Sequence, residues 1–304
     1  MRVSTFGNYQ SALLDLMSAQ TRSEQAQERV STQKNATDLG GFGRTSEMLT
    51  AMKSAQSRIQ GFIDTGEAVR ARLGAQDLAF ERVADGTLAA RDAIANALAS
   101  GRLDGLMQEL EGQFSVVQDG LNAKHQGRYL FAGGALNTAP VAPLTLAQLA
   151  AGPTAAAFTN DQLKQVSRLD EGTSLQTGFL ADEMSSSLFD VFRDIQLQHQ
   201  GTPLTGQPTE VMRAFLATQL QRLNTEHTRV TDLAAQNGAM QNRVDSILKS
   251  QEGQQTQLAE LLADKTDADM AQALTDLQLS QVAIQASAQV ISQLRETSLL
   301  NFLR

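Results

Sequence analysis

The sequence predicts a mainly α-helical protein, a long antiparallel helical bundle or coiled coil in which the N- and C-terminal helices pair. A heptad pattern from Met48 to Ala97 spaces its residues alternately four and three positions apart, and twelve of its fifteen positions are apolar. All five prolines lie between residues 140 and 208, so both flanking arms lack the residue that most strongly breaks helices. The chain has no Cys and no Trp and is rich in Ala, Gln and Leu, which favours helices over a mixed sheet core.

The position of the prolines divides the chain into two helical arms and a middle insert. We expect a terminal coiled-coil domain from residues 1–35 and 265–304. A long helical bundle domain is expected from residues 45–128 and 182–263. Residues 129–181 remain as a small insert, either irregular or built around a β-hairpin.

The first helix is predicted over residues 1–33, because Phe6, Tyr9, Leu13 and Leu16 follow helical 3-4-3 spacing. A stretch rich in glycine follows at residues 35–43 and indicates a loop. No Gly-Lys-Ser/Thr sequence follows these glycines and no strand precedes them, so a flexible joint is a better interpretation than a phosphate-binding loop.

The second helix is the long heptad segment, and Gly101 is expected to end it. A third helix is predicted from its apolar face, which comprises Met107, Leu110, Phe114, Val117 and Leu121. In the insert, residues 166–179 can form a hairpin around a glycine-containing turn. Helix is expected again over residues 182–200. Another helix of about fifty residues is expected from Thr209, where apolar residues again follow 3-4 spacing. Its length matches that of the first long heptad helix, so we expect the two to pair antiparallel.

The last helix follows a break at residues 264–267, where Thr266 or Asp267 can cap it and Asp269 lies near its positive end. This helix is apolar or small on most sides, which is typical of a buried helix, yet the chain offers little to cover it. We therefore expect other copies or other proteins to cover it. One stripe is polar and is either a solvated face or a channel lining; it consists of Gln278, Gln281, Gln285, Gln289 and Gln293.

Composition and spacing argue against several classes of function. A net charge of −8 disfavours nucleic acid and anionic membrane surfaces as partners. The eighteen uncharged residues between Asp276 and Arg295 include eight Gln or Ser, and this segment is therefore too polar for a membrane span. The N-terminus lacks the long apolar run of a cleaved signal peptide, so we expect none. His125, His199 and His227 form no ligand pair, and His227 occupies a seam position that suits a structural role. We predict no catalytic, cofactor or metal site.

Several short motifs, in order along both arms, resemble the hook-associated proteins of the flagellin-related family. The sequence begins Met-Arg-Val-Ser-Thr, and residues 29–35 read Arg-Val-Ser-Thr-Gln-Lys-Asn. Residues 129–133 read Tyr-Leu-Phe-Ala-Gly, which is similar to the segment typical of hook–filament junction proteins. Residues 267–271 and 298–303 resemble the family's C-terminal helix. The chain departs from the family at residues 37–41, where members often have paired acidic residues and a proline.

The resemblance implies a structural role in the bacterial flagellum, with the terminal helices packed around a central channel and the insert facing outward. It implies export through the flagellar type III apparatus without a cleaved signal, and an extracellular position at the hook–filament junction. The implied partners are further copies in a ring, hook-associated protein 1, flagellin and a cytoplasmic export chaperone. The side chains expected to carry assembly are Phe6, Leu13, Leu16, Leu277, Ile284, Ile291 and Phe302.

Two alternatives remain open from the sequence. A flagellin filament subunit would share the fold, although the motif at residues 129–133 and the first five residues favour the junction protein. A cytosolic coiled-coil binding module belongs to another class, and it would leave the nearly uncharged last helix without an obvious partner. An enzyme is the least favoured alternative.

Overall fold

The computed structural model describes the backbone of residues 2–142 and 144–302 and the side-chain surroundings of residues 7, 9–142 and 144–294. The described part is mainly α-helical, as predicted. Its helices are α1 (Arg2–Thr32), α2 (Ser46–Ser100), α3 (Leu106–Leu121), α4 (Leu146–Ala150), α5 (Ala181–Gly201), α6 (Glu210–Thr266) and α7 (Met270–Phe302). Its strands are β1 (Lys124–His125), β2 (Arg128–Tyr129), β3 (Val166–Arg168) and β4 (Ser174–Gln176).

The chain folds into two compact units. The terminal unit comprises Met1–Arg58 and Gln254–Arg304, and the central unit comprises Ile59–Gly253. Both boundaries fall inside long helices, the first in α2 and the second in α6. The three-part division into terminal domain, long bundle and insert stays a prediction about the assembled protein.

The core of the central unit is built from large side chains on α2, α3, α5 and α6. Phe114 of α3 lies at its centre, with its ring centroid 5.0 Å from that of Phe189 and 5.2 Å from that of Phe192. Phe80 of α2 contacts Phe131, with their ring centroids 5.5 Å apart. All five rings are fully buried. The heptad positions of α2 from residue 69 to residue 97 are all buried, so this part of the seam finds its partners within the same chain.

Both strand pairs are short antiparallel hairpins. β1 pairs with β2 through a two-residue turn in which Gln126 and Gly127 have φ values of 50° and 79°. Such a turn matches the twist of a hairpin. β3 pairs with β4, which confirms the hairpin predicted in the insert. Leu169, directly after β3, and Leu175 of β4 pack with apolar residues of α2 and α6, so the hairpin belongs to a second apolar cluster of the central unit.

The helix boundaries follow local signals, with one short exception. Gly101 adopts φ 66° directly after α2, as expected for a glycine that ends a helix. The sequence analysis did not identify α4, a single turn of helix held by a capping box in which Thr145 and Gln148 bond each other's backbone. Five residues are too few to show helical periodicity, so only the cap could have revealed it.

Buried amides interrupt the apolar seam of the central unit. Asn237 of α6 is fully buried, and its Nδ2 donates to the Leu73 carbonyl oxygen at 2.9 Å. Gln76 Nε2 donates to the Thr177 carbonyl oxygen at 3.2 Å, and Gln251 Nε2 donates to that of Leu169. A shift in register would leave these buried amides without hydrogen-bond partners, which is unfavourable. The bonds therefore favour one register of the helices and the hairpin.

Candidate assembly surface on the terminal helices

The two terminal helices pack along each other as an antiparallel pair. Just after α1, the Asn35 amide donates to the Thr266 carbonyl oxygen at 2.8 Å, and the Ala268 amide donates to that of Gln33 at 3.0 Å. Lys34 and Asp267 therefore form an antiparallel bridge between the end of α1 and the start of α7. The motif at residues 29–35 and the motif at 267–271 meet in the structure, although more than two hundred residues separate them.

Asp267 completes this junction through its side chain. The Lys34 ammonium donates to the Asp267 carboxylate, and the Thr266 hydroxyl donates to the same oxygen at 3.0 Å. These bonds lower the pKa of Asp267 below its ordinary value. The sequence predicted Thr266 or Asp267 as the cap of α7, but the residue that caps it is Asp269. Its Oδ1 accepts from the backbone amides of Ala271 at 2.9 Å and Gln272 at 3.1 Å. Thr266 still belongs to α6, so it cannot cap the next helix.

The contact between α1 and α7 is lined by small side chains at heptad spacing. On α1 the buried residues are Ala12, Ala19 and Ala26, each seven positions from the next. On α7 the corresponding buried residues are Ala273 and Ser280. Larger residues between them are only partly buried, namely Leu16 and Val30 on α1 and Leu277, Ile284 and Ile291 on α7. Small residues let the two helices approach closely, but they bury little apolar area.

Large apolar side chains of the same two helices point outward instead. Leu14 is 64% exposed, Leu279 63% and Val282 61%. Eight of the sixteen exposed large hydrophobic residues described in the chain lie on this pair: Tyr9, Leu13, Leu14, Met17, Leu274, Leu279, Val282 and Val290. A concentration of exposed apolar side chains is typical of an interaction surface, so this face of the pair is the candidate site.

The residues predicted to carry assembly fall into three groups. Leu13 is exposed, whereas Leu16, Leu277, Ile284 and Ile291 lie in the seam between the two helices. The side chains of Phe6 and Phe302 lie outside the described residues. The apolar face that the sequence predicts on α1 includes Tyr9 and Leu13, and both of these side chains are exposed. The buried face of α1 is formed by the alanines at heptad spacing. The role of these residues in assembly stays a prediction.

Sequence reasoning missed most of the outward surface. Leu14, Met17, Leu274, Leu279, Val282 and Val290 lie off the heptad register and were not singled out. The sequence feature that indicates them is the even distribution of apolar residues around α7. This feature predicts an external partner, but it does not identify the side chains that face it. The five glutamines at 278, 281, 285, 289 and 293 are all exposed, which suits both a solvated face and a channel lining.

The segment Tyr129–Gly133 has a structural role in the central unit. Phe131 is fully buried, and its carbonyl oxygen accepts from the Ala181 amide at 3.1 Å. Gly133 has φ 65°, and a Cβ atom at this position would collide with the Asp161 carbonyl oxygen. This motif thus attaches the insert to the start of α5, and only glycine fits its last position.

The described residues offer little for chemistry. Within residues 2–142 and 144–302 no group of three or more His, Cys, Asp or Glu is arranged to hold a metal ion. His199 Nδ1 accepts from the Leu204 amide at 3.1 Å, and His227 is partly buried on α6. Among the helices described, none combines the length and the apolar character that crossing a membrane requires.

Comparisons with known proteins agree with this architecture. Residues 220–303 match the model of the bacterial flagellin C-terminal helical region. The fold resembles that of a protein described as a flagellar hook-associated protein from Vibrio parahaemolyticus, with a TM-score of 0.61 and 16% identity over 73% of this chain and 97% of that one. It also resembles Bacillus cereus FlgL, with a TM-score of 0.53 and 15% identity over 70% of this chain and 98% of that one. No curated protein sequence matches the chain significantly.

These matches confirm the resemblance found in the sequence motifs. The C-terminal match covers most of α6 and all of α7, and α7 carries part of the outward apolar surface. Residues 220–303 are thus similar to the flagellin C-terminal helical region, and the fold of the chain resembles that of flagellar hook-associated proteins.

Proposed function

We propose that this chain is a structural subunit of the bacterial flagellum that joins the hook to the filament by helix packing. The outward apolar surface of α1 and α7 is the observation that carries the proposal. Such a surface has no function in an isolated chain, but it suits a subunit that is covered by its neighbours. The flagellin C-terminal match and the fold shared with hook-associated proteins support the same role.

The mechanism is geometrical rather than chemical. Each subunit presents its α1–α7 pair to further copies in a ring, and burying one exposed Leu or Val contributes about 1.5–3 kcal/mol. The pair exposes eight large apolar side chains per subunit, six of them Leu or Val, which can hold an assembly together without a large core inside the pair. In this arrangement the glutamine stripe of α7 lines the central channel, and the outer surfaces contact hook-associated protein 1 on one side and flagellin on the other.

Export is part of the proposal. The chain passes through the flagellar type III apparatus without a cleaved signal and reaches its position outside the cell. Before export, a chaperone covers the same outward surface, because a concentration of exposed apolar side chains favours aggregation.

The position in the flagellum is tested by immunogold electron microscopy with an antibody against residues 135–180, which belong to the central unit. We expect label at one point, where hook meets filament. Label along the whole filament would identify the chain as a flagellin, the alternative that the C-terminal match also favours. Label only inside the cell would contradict the flagellar role and favour a cytosolic binding module.

The proposed mechanism is tested by two substitutions on α7. Val282→Asp changes an outward residue, so it should abolish incorporation while α1 and α7 remain paired. Ile284→Asp changes a seam residue, so it should abolish incorporation and also separate the two helices, while the central unit stays folded. Incorporation is measured by filament attachment in a strain lacking the native protein, and helix pairing by hydrogen exchange of the purified chain.

Val211→Asp is the matched control, because Val211 is 75% exposed on α6 in the central unit. It should leave filament attachment unchanged. Normal attachment in the Val282→Asp strain would contradict the proposed packing of the terminal helices, even if the antibody still labels the junction.

A further inference from the structure

The central unit contains a cationic cleft that neither the core nor the terminal helices explain. The cleft has a volume of about 470 Å³ and lies among α2, the β1–β2 hairpin and the start of β3. Arg72, His125 and Arg128 line it, and no Asp or Glu of the described residues does. This arrangement is unexpected in a chain whose net charge is −8.

The two arginines lack an acidic partner within the described residues. The Arg72 guanidinium donates to the Thr177 hydroxyl, but its buried Nε has no hydrogen-bond partner. Burial lowers the pKa of Arg72 below its ordinary value. The Arg128 side chain is exposed and forms no ion pair or hydrogen bond within the described part of the chain. An unpaired donor in a partly buried guanidinium is unfavourable, and an anion in the cleft would offset that cost.

Neutral hydrogen-bonding groups surround these cations. The side chains of Gln126, Gln165 and Ser167 line the cleft, and none makes a hydrogen bond among the described residues. Thr65 Oγ1 donates to the Gly61 carbonyl oxygen at 2.8 Å, so its lone pairs remain available as acceptors. The cleft thus offers cations for one negative group and several donors and acceptors for hydroxyl groups.

The chemistry of the cleft disfavours other small ligands. The ammonium of Lys124 lies 4.4 Å from the centroid of the Tyr129 ring, so a cation already covers one face of this aromatic side chain. A simple inorganic anion would leave the amide and hydroxyl groups unused. The volume lies in the range of pockets that hold small organic ligands.

We propose that this cleft binds a sugar acid, a small polyhydroxy carboxylate, with the guanidinium groups of Arg72 and Arg128 as partners of its carboxylate. The amides and hydroxyls of Gln126, Gln165 and Ser167 bind its hydroxyl groups. This site is independent of the assembly surface, so it does not rest on the proposed position in the flagellum.

The test measures binding of D-glucuronate to the full chain by saturation-transfer NMR and calorimetry. D-glucose lacks the carboxylate and acetate lacks the hydroxyl groups, so both should bind at least about tenfold more weakly. Raising the salt concentration should weaken glucuronate binding, because the carboxylate pairs with partly exposed charges. Equal binding of acetate and glucuronate would overturn the proposal, and so would the absence of saturable glucuronate binding.

Arg128→Gln locates the site, since Arg128 is exposed and its replacement should leave the fold intact. We expect glucuronate affinity to fall about tenfold or more, the loss typical of one charge-assisted hydrogen bond. Arg243→Gln, which removes an exposed arginine of α6 in the same unit, should have no effect. Unchanged affinity in the Arg128→Gln chain would overturn the proposal. Binding of an acidic peptide in place of glucuronate would also overturn it and would point to a protein partner.

Discussion

The seam of the terminal helices and the seam of the central unit share the same heptad spacing but differ in what they bury. In the central unit, α2 places Leu73, Phe80 and Ile94 at seam positions, and all three are fully buried. In the terminal pair, α1 places alanines at the buried positions, and its large residues, such as Leu14, face outward. One spacing thus produces a self-sufficient core in one region and an incomplete one in the other.

The difference follows from the partners that each helix finds in its own chain. In the central unit α3 and α5 add the aromatic rings of Phe114, Phe189 and Phe192 to the core. In the terminal unit, packing along most of α1 comes from α7. Two helices can bury only the facing stripe of each, so large residues on the remaining faces stay exposed until another molecule covers them.

The largest expected effect comes from the aromatic core of the central unit. Phe114→Ala should lower the free energy of unfolding of this unit by about 3–5 kcal/mol, because it removes a fully buried ring that contacts two others. Urea unfolding followed by circular dichroism measures the change. Leu78→Ala is the control on α2, where the side chain is 67% exposed and the expected change is within about 0.5 kcal/mol. Equal losses in the two variants would show that the core does not centre on Phe114.

A smaller effect is expected in the seam of the terminal pair. Ala19 is 1% exposed, so Ala19→Leu should force α1 and α7 apart at a cost of about 1–3 kcal/mol. Hydrogen exchange should become faster in both helices and stay unchanged in the central unit. Gln20→Leu adds the same side chain at the neighbouring exposed position and should leave exchange unchanged. If Ala19→Leu slows exchange instead, the seam has room for larger residues and the close-packing argument is wrong.

The smallest effect concerns pH at the junction of α1 and α7. The pKa of Asp267 is lower in the folded chain than its ordinary value of 3.8, chiefly because Lys34 and Thr266 donate to its carboxylate. Its contribution to stability is therefore present above about pH 4 and is lost as the pH falls through the folded pKa. Asp267 is exposed, so the expected change is local.

The amides of Asn35 and Ala268 report on this junction, since both donate across it. Their protection from exchange should fall on acidification in the original chain. Asp267→Asn should show weaker protection at neutral pH and little further change with acid. A variant that kept the full pH dependence would place the titrating group elsewhere.

Much of the fold could be predicted because its signals are local. The heptad pattern after Met48 predicted α2, Gly101 marked its end, and the turn at residues 170–172 predicted the β3–β4 hairpin. The cap of α7 was predicted one turn too early, because Thr266, Asp267 and Asp269 can all cap a helix in isolation. The bridge between Lys34 and Asp267 decided among them, and that contact joins distant parts of the chain.

The candidate site was less predictable than the fold. Leu277, Ile284 and Ile291 were predicted to carry assembly, and they are partly buried on α7, so their role in assembly stays a prediction. Leu279 and Val282, which the spacing did not single out, are the more exposed side chains of this helix. Large and small apolar residues alternate around α7, so spacing alone could not show which of its faces meets α1.

The sequence by itself determined the helical class and the confinement of the prolines to the middle of the chain, because these depend on local propensity, periodicity and composition. From the same signals it predicted that the last helix needs an external partner. Only the tertiary structure decided that alanines form the seam of the terminal pair, that Asp267 meets Lys34, and that Arg72 and Arg128 line one cleft. Each of these features depends on residues far apart in the chain. Their contacts are set by packing and charge compensation in three dimensions, which no local pattern records.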